Sequence, residues 1–385
     1  MKKLYFVLAA AALLLCAACS KVTPMEAPDQ AISFQVAKYS ASTKADVSLL
    51  ADGLTSFHTY AIFHPATGDT NPVQMYMNNV EIAPNSTTAP TEWKPTDRTY
   101  YWPKTGSLNF YSYAGTRVPT TAPSVNDETQ MVFANLEIVG EPVAGTNNAQ
   151  ATPADNILVA NPALKQSSNQ STYHVDNANV KGVPTLFKHM LAKVRFLVVL
   201  DASGLTSTDA AKTTWTLTVP AQKLFSVKNA SSLTITYGTT DFTATWDALG
   251  NSTADVNAVA KTISAVGGQK NPAANADPNY LLAYNEFVVI PQDITGNNKI
   301  NVGFSAELKS SYKADQNAQE EVIKETISLP ANQTLDAFTS AFTKWEANHI
   351  YTYTITVKPN EPITFDPAVT EWVDNENLVI NVPQQ

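Results

Sequence analysis

LFKHMLAKVRFLVVL, residues 186–200, is the strongest apolar run beyond the amino-terminal segment, and whether it is helix or strand sets the fold class. Its first half tolerates a helical reading. Val194 to Leu200, however, is β-branched and aromatic, which suits a pleated surface, and Asp201 to Gly204 closes it as a turn would. The run reads as one long strand that opens a second domain.

Outward from that run the same pattern recurs. Strand-like segments lie at 57–63 (FHTYAIF), 73–77, 108–114 (LNFYSYA) and 131–139, and then at 214–219, 233–237, 287–290, 300–308 and 321–329. Ile350 to Val357 (IYTYTITV) is the cleanest alternation in the chain. Residues 140–182 alternate loop signals with one apolar run, Ile157-Leu158-Val159-Ala160, and Asn and Gln are dense around 166–179. Residues 336–347 have helical spacing through Phe338, Phe342 and Trp345, and read as a short helix or a long loop. Twenty-three prolines and a charged fraction of only 15% fit short strands better than long amphipathic helices, since about a quarter of a typical soluble chain is charged. The fold expected is all-β, with short helical insertions.

The amino terminus carries a second kind of signal. Met1-Lys2-Lys3 is basic, Leu4 to Leu15 is apolar, and Cys16-Ala17-Ala18-Cys19 follows. That order is a secretory signal of the lipoprotein type, with Cys19 as the lipid (palmitate) acceptor because two alanines precede it. The apolar run is shorter than the roughly 20 residues a membrane-spanning helix needs. An ordinary secretory signal with Cys19 as a bystander is the other reading. Cleavage removes Lys2 and Lys3 and takes the formal charge from −9 to −11, which disfavours nucleic-acid binding. Both cysteines lie in this region, so the processed chain holds no internal disulfide and must rest on its cores.

Two apolar rows stand at opposite ends of the secreted chain. Ile32, Phe34 and Val36 alternate with Ser33, Gln35 and Ala37; Leu378, Ile380 and Val382 alternate with Val379 and Asn381. Burying one such row is worth on the order of 5–9 kcal/mol as an upper bound. That is comparable to the stability of a whole domain. Either segment left unpaired is an aggregation hazard. Pattern alone fits ordinary edge strands of their own domains, and also fits strands that replace one another between neighbouring subunits.

No motif for chemistry emerges. The five histidines, His58, His64, His174, His189 and His349, lack metal-ligand spacing, and there is no HExxH, CxxC, phosphate-binding Gly loop or GxSxG elbow. His189 reads as a core histidine. Asp127-Glu128 and Glu320-Glu321 are neighbours whose side chains leave a strand on opposite faces, and read as solvated loop. Tyr100, Tyr101 and Trp102 read as core packing beside Pro103 rather than a sugar platform. No catalysis and no cofactor is expected.

Several segments resemble one family, in that family's order. YYWPKTGSLNFYSYA (100–114), DNILVA (155–160), FKHMLAKVRF (187–196), WEANHIYTYTITV (345–357) and ITFDPAVTEW (363–372) are similar to signature segments of Bacteroides-type fimbrillins, the Mfa-like or type V pilins. The resemblance implies two tandem transthyretin-like β-sandwiches: residues 1–19 as signal, 20–44 as tether and removable strand, 45–183 and 184–385 as the sandwiches. It also implies export as a lipoprotein, proteolytic loss of an N-terminal strand at the outer surface, and filling of the vacated groove by the C-terminal tail of the next subunit. The family's cut falls at a basic residue before Ala; Thr43-Lys44-Ala45 occupies that place here, with Lys for Arg, so an Arg-specific protease would not serve. Under this reading Ile32, Phe34 and Val36 belong to the removed strand, and Leu378, Ile380 and Val382 are donors. The implied partners are neighbouring pilin subunits, the outer membrane through the lipid, a surface protease and a receptor.

Overall fold

The computed structural model describes residues 31–38, 54–85, 93–115, 122–126, 128–138, 157–168, 182–219, 223–228, 230–247, 253–257, 261–271, 285–296, 300–303, 305–328, 343–359 and 364–371. Among the described residues the regular secondary structure is almost entirely strand, as the composition predicts. Among the described residues helix is limited to 3-10 turns, at Ala210–Lys212 and at Gly296.

The first strands in chain order are β1 (Phe34–Lys38), β2 (Phe57–His64), β3 (Gln74–Pro84), β4 (Trp93–Pro95), β5 (Ser107–Ala114), β6 (Ser124–Asn126), β7 (Gln130–Glu137), β8 (Leu158–Ala160), β9 (Ala163–Gln166) and β10 (Val183–His189). Eight of them form one sheet in the order β2-β3-β4-β1-β10-β8-β5-β9. Because β5 also pairs β2 along seven residues, from His58↔Tyr113 to His64↔Ser107, the sheet closes on itself. Closure leaves no free edge in the ring, and β1 is one of its staves.

The remaining strands are β11 (Ala192–Asp201), β12 (Thr213–Val219), β13 (Lys223–Lys228), β14 (Ala230–Tyr237), β15 (Phe242–Trp246), β16 (Thr253–Asn257), β17 (Lys261–Val266), β18 (Lys270–Asn271), β19 (Asn285–Val289), β20 (Gln292–Asp293), β21 (Asn301–Gly303), β22 (Ser305–Tyr312), β23 (Glu321–Ser328), β24 (Lys344–Trp345), β25 (His349–Val357) and β26 (Thr364–Glu371). β11 is the spine of this half. It runs parallel to β25 from Lys193↔Ile350 to Leu200↔Val357 and antiparallel to β18 and β19. A second sheet, β17-β12-β22-β23, faces it, and Val194, Val198, Leu200, Leu217, Leu308 and Ile355 fill the space between.

A four-stranded sheet, β15-β14-β7-β6, joins the two halves, with Leu233 of β14 opposite Phe133 of β7. It encloses a middle core with Tyr60 and Ile62 of β2, Tyr111 and Tyr113 of β5, and Ile350 of β25. β2 is therefore buried on both faces: Ala61 and Phe63 point into the ring, while Tyr60 and Ile62 point into the middle core. That is why FHTYAIF lacks a polar face.

Four expectations need correction. Residues 186–200 are not one strand. β10 ends at His189, Met190 and Leu191 bend, and β11 begins at Ala192 in a different sheet. The apolar run is continuous because Phe187, then Met190 and Leu191, then Ala192 and Val194 are buried in three successive cores. Residues 300–308 likewise split into β21, which pairs β13, and β22, which pairs β12 and β23. Lys344–Trp345, expected in a helix or loop, is a strand paired with β20; residues 336–342 lie outside the described residues. β9, read as loop, pairs with β5.

Candidate functional site

The one described segment among the sequence-derived sites is the row Ile32, Phe34, Val36, and it lies in the groove between β4 and β10 of the ring. Hydrogen bonds seat it at its entry: the Ile32 N–H donates to Tyr100 O at 2.8 Å, and the Val183 N–H donates to Ser33 O at 2.8 Å. β1 then runs parallel to β10, Phe34↔Val183 through Lys38↔Phe187, and meets antiparallel β4 at Phe34↔Trp93. A parallel neighbour on one side and an antiparallel one on the other make the groove directional.

Inside the ring, Ile32, Phe34 and Val36 are 1%, 0% and 2% exposed. The Phe34 ring meets Phe57 edge-on at 5.6 Å and 81°, and Phe110 at 5.5 Å and 89°. Phe57 in turn packs on Phe187 at 5.4 Å and on Trp93 at 5.7 Å, and Phe110 on Trp102 at 5.9 Å. Phe34 is thus the middle member of an aromatic cluster that lines the groove floor, in the edge-to-face geometry such rings favour.

The other face of β1 departs from the polar, solvated face that alternation predicts. Ser33 and Gln35 are 8% and 3% exposed. Gln35 Oε1 is buried without a hydrogen-bond partner, and so is the indole Nε1 of the neighbouring Trp93. Each such orphan group costs about 1–3 kcal/mol. The groove therefore binds the apolar row tightly and the strand's polar side chain poorly.

Gly182 shapes the wall. A Cβ there would meet the Phe34 carbonyl carbon at 2.8 Å and Gln35 N at 3.0 Å. The close approach of two backbones requires glycine at this point. Neither Gly182 nor Trp93 carries a signal in the sequence that marks it as groove-lining. Trp102, Phe110 and Phe187 do lie in the segments 100–114 and 187–196 singled out above.

Cys19, Lys44, Ala45, Leu378, Ile380 and Val382 lie outside the described residues, as do His174 and Asp127. Glu128 is not a solvated loop carboxylate. It accepts hydrogen bonds from Asn109 Nδ2 at 2.8 Å and the Tyr111 hydroxyl at 3.3 Å, and pairs with His64 Nε2 at 2.8 Å. Tyr100 and Trp102 are buried in the ring core. Tyr351 and Tyr353 organise the 345–357 segment: Trp345 Nε1 donates to the Tyr353 hydroxyl at 3.1 Å, and the Glu346 N–H to the Tyr351 hydroxyl at 2.7 Å. Among the described residues no three His, Cys, Asp or Glu gather as metal ligands, and no helix is long and apolar enough to cross a membrane.

Residues 43–372 match the profile of a family described as fimbrillin-like. No curated protein matches the chain. Similar solved structures include a candidate cell adhesion protein from Bacteroides uniformis, at 14% identity, covering 90% of this chain and 100% of that one with a TM-score of 0.46. The tip fimbrial protein Mfa3 from Porphyromonas gingivalis, with C-terminal truncation, is similar at 10% identity, 83% and 94% coverage, and a TM-score of 0.37. The fimbrial anchor protein Mfa2 from the same organism is similar at 12% identity, 89% and 99% coverage, and a TM-score of 0.28.

Proposed function

The chain belongs to the fimbrillin-like family, a family of fimbrial proteins and not of enzymes, and from that premise we propose that it is a stalk-type subunit of a cell-surface fimbrium that contributes to adhesion. It travels to the outer membrane as a lipoprotein acylated at Cys19. A surface protease cuts between Lys44 and Ala45, the segment up to Lys44 leaves with β1, and the tail of a neighbouring subunit takes the vacated groove through a row such as Leu378, Ile380 and Val382. Two transthyretin-like sandwiches, dividing in the neighbourhood of β10, carry the groove and the tail. The tail that follows Trp372 favours a stalk position over a tip.

The observation that carries this reading is the closed ring with β1 as its stave. Five residues from the start of the secreted chain complete a sheet whose other strands all come from residue 57 onward. Removing them opens a slot with unpaired backbone on β4 and β10 and an apolar floor, which only another extended strand satisfies. The burial of β1 on both faces favours a second reading, a monomeric lipoprotein in which β1 stays at home.

Incubation of the purified precursor with a Lys-cutting protease separates the two. Polymers that resist denaturation and begin at Ala45 are expected, and the double variant Leu378→Asp, Ile380→Asp is expected to stay monomeric after the cut. A stable monomer as the sole product of the unaltered chain would overturn the exchange reading.

A further inference from the structure

The central subsite of the groove is filled by an aromatic ring, which is larger than an aliphatic side chain. Phe34 contacts the edges of two rings, Phe57 and Phe110, that are themselves 0% and 1% exposed and are held by Phe187, Trp93 and Trp102. Close-packed rings backed by other rings do not collapse onto a smaller occupant. The row named above as donor offers no aromatic match. Residues 373–385 include no aromatic side chain, and the row Leu378, Ile380, Val382 places Ile380 at its centre in either strand direction. Trp372 does not serve either, because its neighbours at two-residue spacing are Thr370 and Asp374, and Thr370 is paired with Ile350.

We infer that the Phe34 subsite is a specificity pocket for an aromatic side chain, so that the strand which best replaces β1 comes from a different subunit bearing Phe at the centre of its inward row and outcompetes the chain's own tail. The chain's own aliphatic tail fills the subsite incompletely and enters it where that partner is absent, as in the purified precursor. The inference rests on the strand-exchange reading and adds to it a partner: a heterologous donor, and hence a mixed polymer in which the order of subunits is set by the size of one pocket. Each edge-to-face pair adds a few-fold to about tenfold in affinity beyond its buried area.

The test uses the full secreted chain with a site for a sequence-specific protease inserted between residues 39 and 53. After the cut, three labelled peptides compete for the groove: residues 376–384 unchanged, the same peptide with Ile380→Phe, and residues 30–38, which carry Phe34. The quantities read are the release of the β1 fragment and the peptide dissociation constants. The Ile380→Phe peptide is expected to bind about tenfold or more tightly than the unchanged tail. Equal or weaker binding of the Ile380→Phe peptide, with both tails captured, overturns the aromatic pocket and leaves strand exchange standing. If residues 30–38 exchange into the groove while neither tail does, the pocket inference also falls. If no peptide, residues 30–38 included, displaces the fragment, strand exchange and the inference fall together.

Discussion

Gly182 and Phe34 approach so closely that a Cβ on the glycine would lie 2.8 Å from the Phe34 carbonyl carbon. Phe34 has no room to retreat, because its ring is held between Phe57 and Phe110 and its backbone is paired to Val183 and Trp93. The glycine therefore sets how deep β1 sits.

Gly182→Ala is expected to lift β1 and cost about 1–3 kcal/mol, the usual range for overpacking a closed site. Denaturant unfolding reads the loss, and hydrogen exchange at the Phe34 to Val36 amides reads its location. Faster exchange confined to β1 and β10 is the expected pattern. Unchanged protection would mean that the two backbones separate without cost.

Phe34 and its neighbour Gln35 should respond in opposite ways. Phe34→Ala removes the centre of the aromatic cluster and is expected to cost about 3–5 kcal/mol. Gln35→Met keeps the length of the side chain and removes a buried acceptor, Oε1, that has no donor. It is expected to be neutral, or to stabilise by about 1 kcal/mol. A loss at Gln35 of the same size as at Phe34 would show that the amide end is in use.

Much of this fold was legible in the alternation of short strands, and the limits of that signal have physical causes. Ile350 to Val357 read correctly as a strand because Tyr351, Tyr353, Ile355 and Val357 face one core while Thr352, Thr354 and Thr356 are only partly buried. LFKHMLAKVRFLVVL misled because the chain changes sheets at Met190–Leu191 without any polar or glycine break, each core taking over where the last ends. In β1 the apolar row was visible, but the burial of Ser33 and Gln35 was not, since a polar side chain carries no mark of what covers it. Trp93 and Gly182 come to the groove through long-range pairing, which no local pattern encodes. Glu128 was misread for a similar reason: its partners lie 64, 19 and 17 residues away.

Glu128 adopts φ 60°, a backbone conformation that favours glycine or asparagine. Its carboxylate oxygen meets His64, Asn109 and Tyr111 together, tying β2 and β5 to the turn before β7. Glu128→Gly relaxes the backbone but strips the acceptor from three polar groups. Hydrogen bonds to a charged group are worth about 1.5–3 kcal/mol, more than the relief of one left-handed residue at about 1–2 kcal/mol. A net loss of at least about 2 kcal/mol is expected in thermal or denaturant unfolding. A more stable Glu128→Gly protein would show that the cluster is ornamental.

The buried tyrosines set an alkaline limit on the fold. Burial raises the hydroxyl of Tyr351 to about 12, with the Glu346 N–H partly offsetting and the Glu346 charge adding to the rise. Burial likewise raises Tyr60, Tyr111, Tyr113, Tyr237 and Tyr353. The folded state keeps these groups neutral, whereas in the unfolded chain they ionise near 10. Their contribution to stability is therefore complete below about pH 10 and is lost as pH rises through the folded values. Tyrosinate absorbance is expected to lag through pH 10–11 and then jump together with the loss of circular dichroism. Tyr237→Phe isolates the effect. Its hydroxyl has a weak partner, Met131 Sδ at 3.7 Å, and its ring lies 4.7 Å from that of Tyr111. Removing the hydroxyl should leave the neutral-pH unfolding midpoint nearly unchanged, while the alkaline midpoint moves upward because one ionisable group is gone from the unfolded state. An alkaline midpoint that stays fixed, or moves down, would mean that the Tyr237 hydroxyl ionises without unfolding the sheet that joins the two halves.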